Sequence, residues 1–77
     1  MKQVVLYTKA GCHLCEVARG LILSLRGRVE FGYSEIDIES DPEIFEDYRL
    51  DVPVIEIDGR KAFKYRVDAE ALLARLV

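Results

Sequence analysis

The chain has only two cysteines, Cys12 and Cys15, three residues apart in a sequence of 77. An apolar run, Val4-Val5-Leu6-Tyr7, precedes them, and a run of helical period, Val17 to Leu25, follows. The pair therefore falls at a strand-to-helix junction, with Cys12 about where the helix begins. In that setting C-x-x-C reads as a redox motif. Residues three apart on a helix are neighbours on one face, so the two sulfurs can meet in a small disulfide loop. The nucleophile in such chemistry is a thiolate, and a free thiol, with a pKa of about 8.5, is mostly protonated at neutral pH. The unpaired N–H groups and dipole of a helix N-terminus favour the anion. Cys12, at that end, is the expected attacking thiol. Cys15, a turn deeper, is the expected resolving thiol. The bland alternative is two inert cysteines that happen to lie close.

Length limits the rest. Seventy-seven residues make one domain, residues 1–77. A chain of this size buries only about 60 to 65% of its unfolded surface. Its composition, 51% hydrophobic and 32% charged, is that of a soluble globular protein. No run approaches the ~18 apolar residues of a membrane span. The sequence enters a strand almost at once, so no secretory signal is expected. Two cysteines at catalytic spacing then point to a reducing cytoplasm.

The net charge of −3 argues against nucleic acid as the main partner. Residues 1–28 carry five Lys/Arg against one Glu, residues 29–58 eleven Asp/Glu against one Arg, and residues 59–77 five Lys/Arg against two acids. One reading is a mildly basic surface near Cys12, suited to an anionic thiol or an acidic protein patch. The reading preferred here is solvated faces that keep a small protein in solution.

Along the chain, Met1–Tyr7 reads as a central strand buried on both faces. Gly11 allows a tight turn before the helix. Cys12–Arg26 reads as that helix, with Leu14, Ala18, Leu21, Ile22 and Leu25 as its apolar stripe. Gly20 suggests close packing on the sheet, and Gly27 is a candidate C′ residue. In Val29–Ile38 the alternation changes parity, which a bulge near Tyr33–Ser34 would reconcile. A short helix to about Arg49 is capped by Ser40 with Glu43, or by Asp41 with Pro42 in the first turn, and turns Ile44, Phe45 and Tyr48 inward. Val52–Ile57 is a third strand, Asp58-Gly59 a type I′ hairpin turn, and Arg60–Tyr65 the return strand. Asp68 caps a last helix, with Val67 and Leu72 at staple spacing and Leu72, Leu73 and Leu76 inward. The order β-α-β-α-β-β-α implies a right-handed βαβ unit followed by an antiparallel hairpin and a helix, hence a mixed four-stranded sheet flanked by helices.

The residues carrying this order bear a family likeness. C-x-x-C at the first strand–helix junction, with Val52-Pro53 before the third strand, resembles the thioredoxin fold in its short glutaredoxin form, over nearly the whole chain. Tyr7-Thr8-Lys9-Ala10-Gly11-Cys12-His13-Leu14-Cys15 resembles the glutaredoxin opening. The chain is still more similar to small glutaredoxin-like proteins with a Cys-His-Leu-Cys motif and an acidic second helix. The resemblance implies a thiol–disulfide oxidoreductase with Pro53 in cis beside the Cys12 sulfur. It implies that the Val52 backbone pairs with the substrate disulfide as an added strand, and that Lys9 meets the glycyl carboxylate of glutathione. His13, if positive, would favour the Cys12 thiolate; the alternative is an exposed surface histidine.

Two departures stand out. Glutaredoxins carry a Gly-Gly pair after the hairpin strands, followed by an acid that binds the γ-glutamyl end of glutathione; here the region reads Lys64-Tyr65-Arg66-Val67-Asp68. The dipeptide between the cysteines is His13-Leu14 instead of Pro-Tyr. No tightly bound cofactor is expected. Glutathione or a reductase is the expected electron donor, and a disulfide-containing protein or a glutathione mixed disulfide the expected partner, with no nucleic acid, no membrane and a monomeric chain.

Two other classes compete. A C-x-x-C pair is half of many zinc sites, so a metal or iron–sulfur module is conceivable, but with no other Cys it would need a site shared between two copies. An interaction domain that keeps the cysteines without turnover is the other. Asp37, Glu39 and Asp41 alternate without the spacing of a calcium loop. The Tyr and Phe residues fall at core-like positions.

Overall fold

The apolar run Val4–Tyr7 lies in a central strand of the sheet. The computed structural model describes residues 1–77, arranged as β1 (Gln3–Thr8), α1 (His13–Leu25), β2 (Gly32–Asp37), a 3₁₀ turn (Ile38–Ser40), α2 (Pro42–Tyr48), β3 (Val54–Ile57), β4 (Arg60–Lys64) and α3 (Ala69–Leu76). The strand order is β2-β1-β3-β4. β1 runs parallel to β2, with Val4 opposite Tyr33, and antiparallel to β3, with Tyr7 opposite Val54. β3 and β4 form the antiparallel hairpin. The expected mixed four-stranded sheet and element order are thus what the chain adopts.

Period-two alternation sorts β1 between the two faces. Val4 and Leu6 point to one side and join Ile55, Ile57, Phe31, Ala18, Ile22, Leu25, Leu72 and Leu76 in the core under α1 and α3. Fully burying a side chain such as Leu6, Ile22 or Leu72 contributes about 1.5–3 kcal/mol, so this face carries most of the stability. Val5 and Tyr7 point the other way and are only half-buried. β1 is central, as expected, but one of its faces is not closed.

That second face holds α2, which contributes no fully buried residue. Ile44, Phe45 and Tyr48 do turn inward, to half-buried positions. Polar contacts complete the attachment. The Tyr7 and Tyr48 hydroxyls each donate to a different oxygen of Glu56 on β3, both at 3.1 Å. The two rings meet edge to face at 4.6 Å, and Lys61 Nζ lies 4.6 Å from the Tyr48 ring centroid.

Several local expectations are corrected. Gly20 faces open space rather than the sheet. Gly27 is not left-handed; α1 ends instead through turn bonds, Arg28 N–H and Val29 N–H both donating to Leu25 C=O at 2.9 Å. No bulge interrupts the β1–β2 ladder. Phe31 lies before β2, Tyr33 shares the α1 face with Val4, Ile36 shares the other face with Tyr7, and Ile38 is buried in the turn beyond, which accounts for the parity change. The irregularity falls instead between Ile55 and Glu56. Asp41 caps α2, accepting from Glu43 N–H at 2.9 Å, while Ser40 stays in the 3₁₀ turn. Val52 and Pro53 precede β3 instead of opening it, and Tyr65 lies beyond β4. Asp58 and Gly59 both have positive φ, 52° and 82°, as a type I′ turn requires. Asp68 caps α3.

The Tyr48 hydroxyl makes the attachment of α2 sensitive to alkali. Burial, then the hydrogen bond to Glu56, raises it from its ordinary 10.0 to about 12; Tyr7 is raised by the same causes. A raised value means that the folded chain holds these protons longer than the unfolded one. The stabilisation from Tyr48 is complete below pH 10 and is lost as pH climbs through about 12, and that from Tyr7 is lost in the same direction. Chemical denaturation across that range should show falling stability, with a shallower slope in Tyr48→Phe than in the parent.

Candidate functional site

The register brings several chain turns to one end of the sheet. β1 leaves that end at Thr8, opposite Asp37 of β2. β3 enters there just after Pro53, beside Tyr7, and β4 leaves at Lys64, opposite Val54. The Lys9–Cys12 loop, the Val52–Pro53 loop and the Tyr65–Arg66 turn therefore share one edge. Gly11, at φ 77°, supplies the reversal that starts α1 there.

Cys12 is the N-cap residue of α1, with extended backbone. Its sulfur accepts the Cys15 N–H at 3.1 Å, the place a serine or aspartate oxygen takes at an ordinary N-cap. Its own N–H donates to Lys9 C=O at 3.3 Å, fixing the loop. Cys12 and Cys15 are joined as a disulfide, with Cα atoms 5.2 Å apart. The pair is asymmetric. Cys12 is partly exposed, whereas Cys15 is 0% exposed and packs into the sheet side of α1. An attacking group from solution reaches Cys12 first. After reduction, a thiolate on Cys12 would keep the Cys15 N–H and the positive end of α1 against it.

The peptide bond Val52–Pro53 is cis. Val52 is half-buried, and neither its N–H nor its C=O is hydrogen-bonded within the chain. Pro53 C=O is not free: it accepts from Tyr65 N–H at 2.9 Å. Lys9 is half-buried and pairs with no acid within 4.0 Å; it lines a groove of about 370 Å³ with Thr8, Ala10, Glu16, Arg19, Glu35 and Asp37. In that groove Arg19 clasps Glu35 with Nε and Nη2 at 2.8 and 2.9 Å and reaches Glu16 at 2.7 Å. This clasp holds the Glu35 carboxyl below its ordinary range. It also ties α1 to the edge strand β2. The surroundings of Cys12 are thus a mixture of signs rather than a basic patch. His13 is exposed, the first residue of α1. No group of three or more His, Cys, Asp or Glu side chains is arranged to hold a metal ion.

The structure therefore brings Cys12, Cys15, Lys9, His13, Val52 and Pro53 to one end of the sheet. Sequence reasoning missed Tyr65, placed with the core aromatics, which instead is 44% exposed at this end with φ 65°. The signal was present: the segment Lys64–Asp68 lacks the Gly-Gly pair of the resembling family. Asp68, the acid that ends this segment, caps α3, its Oδ2 accepting from Ala71 N–H at 3.0 Å.

Comparison with known proteins agrees with this geometry. The glutaredoxin-like domain family (DUF836) matches residues 3–77. The "Glutaredoxin-like protein YDR286C homolog" of Dictyostelium discoideum is 32% identical over 72 residues, 86% of this chain and 67% of that protein. The solution structure of protein Ne2328 from Nitrosomonas europaea superposes with a TM-score of 0.84 at 26% identity, over 99% of this chain and 92% of that one. Mitochondrial thioredoxin 3 of Saccharomyces cerevisiae, in oxidised form, shares the fold at 17% identity with a TM-score of 0.72, over 97% and 76% of the two chains. No helix is long and apolar enough to cross a membrane. A thioredoxin fold with a C-x-x-C pair at disulfide distance supports redox-type function, and the chain belongs to the glutaredoxin-like domain family.

Proposed function

We propose that the chain is a dithiol thiol–disulfide oxidoreductase. The observation that carries the reading is the asymmetry of the pair: an accessible Cys12 sulfur on the N–H of Cys15 at a helix N-terminus, and a Cys15 sulfur shut away behind it. The reduced Cys12 thiolate attacks one sulfur of a substrate disulfide. A Cys12–substrate disulfide forms, the substrate S–S bond breaks, and one substrate sulfur leaves as thiolate and takes up a proton. Cys15, deprotonated, then attacks Cys12, releasing the second substrate thiol and closing the Cys12–Cys15 disulfide. Two electrons pass to the substrate. A thiol donor, glutathione or the dithiol of a reductase, returns them.

The rest of the site serves binding. The free N–H and C=O of Val52 offer an extended substrate the two hydrogen bonds of an added strand. Lys9 can meet a carboxylate and His13 lies on the approach to Cys12. On this reading the partners are a disulfide-bearing protein or a glutathione mixed disulfide. The chain works as one monomeric domain in a reducing cytoplasm, with no tightly bound cofactor.

Two outcomes are expected. With the reduced protein, iodoacetamide at neutral pH should modify Cys12 at least about ten-fold faster than Cys15, with a pH–rate midpoint below the usual 8.5 or so of a free thiol; equal labelling at a peptide-thiol rate would leave an inert pair. In disulfide reductase assays, Cys12→Ser should abolish turnover, and Cys15→Ser should accumulate a mixed disulfide visible by intact mass. Full activity in Cys12→Ser would overturn the assignment.

A further inference from the structure

β4 stops at Lys64, and Tyr65 follows with φ 65°, a backbone conformation that bulky residues rarely adopt. The local geometry is closed: Arg66 N–H donates to Lys64 C=O at 2.8 Å, making a three-residue turn of the strained, positive-φ hand around Tyr65. Tyr65 N–H donates to Pro53 C=O at 2.9 Å and, at 3.3 Å, to Asp51 C=O. A glycine would make these backbone bonds without strain. What tyrosine adds is its side chain. The hydroxyl donates to Asp51 Oδ1 at 3.1 Å, which lays the ring beside the Val52–Pro53 loop. With Leu14, Val17 and Ala18 of α1, and Arg66 and Val67, Tyr65 lines a cavity of about 130 Å³ that begins at Leu14, one of the two residues between the cysteines. Strained residues persist where function holds them, so the outlier calls for a role.

We propose that Tyr65 is a specificity-determining residue: it shapes this cavity to receive one apolar side chain of a polypeptide disulfide partner, and it turns the site away from glutathione. The proposal rests on the oxidoreductase reading of Cys12. The cavity has room for roughly four waters at about 30 Å³ each, the bulk of one leucine-sized side chain. Its lining is apolar except for Arg66. Glutathione carries an ammonium and two carboxylates around its cysteine, and burying such charges without partners is costly. For the ammonium, no carboxylate lines the cavity itself: Asp68 gives Oδ2 to Ala71 N–H as the cap of α3, and Asp51 Oδ1 accepts from the Tyr65 hydroxyl. For the glutamyl carboxylate, the N–H groups of both Tyr65 and Arg66 are already bonded, which leaves only the exposed Arg66 and Lys64 side chains of the rim. A polypeptide needs neither: it pairs with the open Val52 backbone and places one side chain between Val17 and Tyr65. The rim is basic, with Arg66 at the cavity and Lys64 Nζ 5.5 Å from the Tyr65 ring centroid. The matching segment therefore carries a carboxylate beside its apolar residue.

The test uses the full-length reduced protein and three disulfides: the homodimer of the peptide acetyl-Glu-Leu-Cys-Leu-amide, glutathione disulfide, and bis(2-hydroxyethyl) disulfide. The last reads the dithiol alone, and the other rate constants are taken relative to it. The parent should react at least about ten-fold faster with the peptide disulfide than with glutathione disulfide, the discrimination one apolar pocket supplies. Tyr65→Gly, which keeps the backbone bonds, should bring the two within about three-fold of each other. Val17→Asp, on the opposite wall and half-exposed, should slow the peptide alone, and it reads the cavity independently should the first variant fail to fold. Equal parent rates on peptide and glutathione, or an unchanged ratio in both variants, would overturn the proposal. An unreactive parent with bis(2-hydroxyethyl) disulfide would remove the oxidoreductase reading beneath it.

Discussion

The hydrogen bond from Cys15 N–H to the Cys12 sulfur is the contact on which the site depends. It makes one atom both the cap of α1 and the reactive group. A helix leaves its first N–H groups without intrahelical partners, and a side-chain acceptor at the N-cap is worth about 1 kcal/mol. Here the acceptor is sulfur, so the same N–H that closes the helix holds a thiolate when the disulfide opens. Helix formation and thiolate stabilisation thus draw on one geometry, and the geometry exists only because Gly11 turns the chain at the end of β1.

Placing that atom is the work of the sheet. β1 lies between β2 and β3, and its inner face, Val4 and Leu6, is the floor on which α1 and α3 rest. The antiparallel pairing of β1 with β3 brings the Val52–Pro53 loop to the same end as the disulfide, and pairing of β3 with β4 does the same for Tyr65. The loops are then held by backbone bonds across elements, such as Tyr65 N–H to Pro53 C=O. The outer face is built differently. α2 buries no residue fully and is attached through half-buried side chains and the Tyr7–Glu56–Tyr48 contacts, so its attachment is the more exposed to changes of solvent.

Much of this was legible in the sequence because local rules and tertiary contacts agree. The C-x-x-C spacing, the Asp58-Gly59 turn, the caps Asp41 and Asp68 and the Leu72–Leu76 face each state a geometry that the fold uses. The failures have a common physical origin: they concern positions where the neighbour across space decides. Gly20 looked like a packing glycine, but it lies on the open side of α1. The parity change before Ile38 looked like a bulge, whereas the strand simply begins after Phe31 and ends before Ile38, so residues on either side obey no alternation. Tyr65 looked like one more core aromatic because no pattern of hydrophobicity reports a positive φ; only the hydrogen bonds of Pro53 and Lys64 do.

The charge segregation along the chain acquires a direction once the strand order is known. The acidic middle third supplies β2 and α2, and the basic last third supplies β4 and the Tyr65–Arg66 turn. β2 and β4 are the two edges of the sheet, so acids Glu35 and Asp37 lie on one edge strand and bases Arg60, Lys61 and Lys64 on the other, while α2 lies over the face between, its Tyr48 against Tyr7, Glu56 and Lys61. Cys12 sits at the end of the strand next to the acidic edge, yet that side is partly neutralised by the clasp of Arg19 on Glu35 and Glu16. Arg66 and Lys64, on the other side, have no acid within 4.0 Å. The field that a partner meets near the disulfide is therefore shaped by these unpaired cations, with Lys9 in the loop before Cys12, more than by net charge, because charges already paired at short range cancel over distances where separated ones still act.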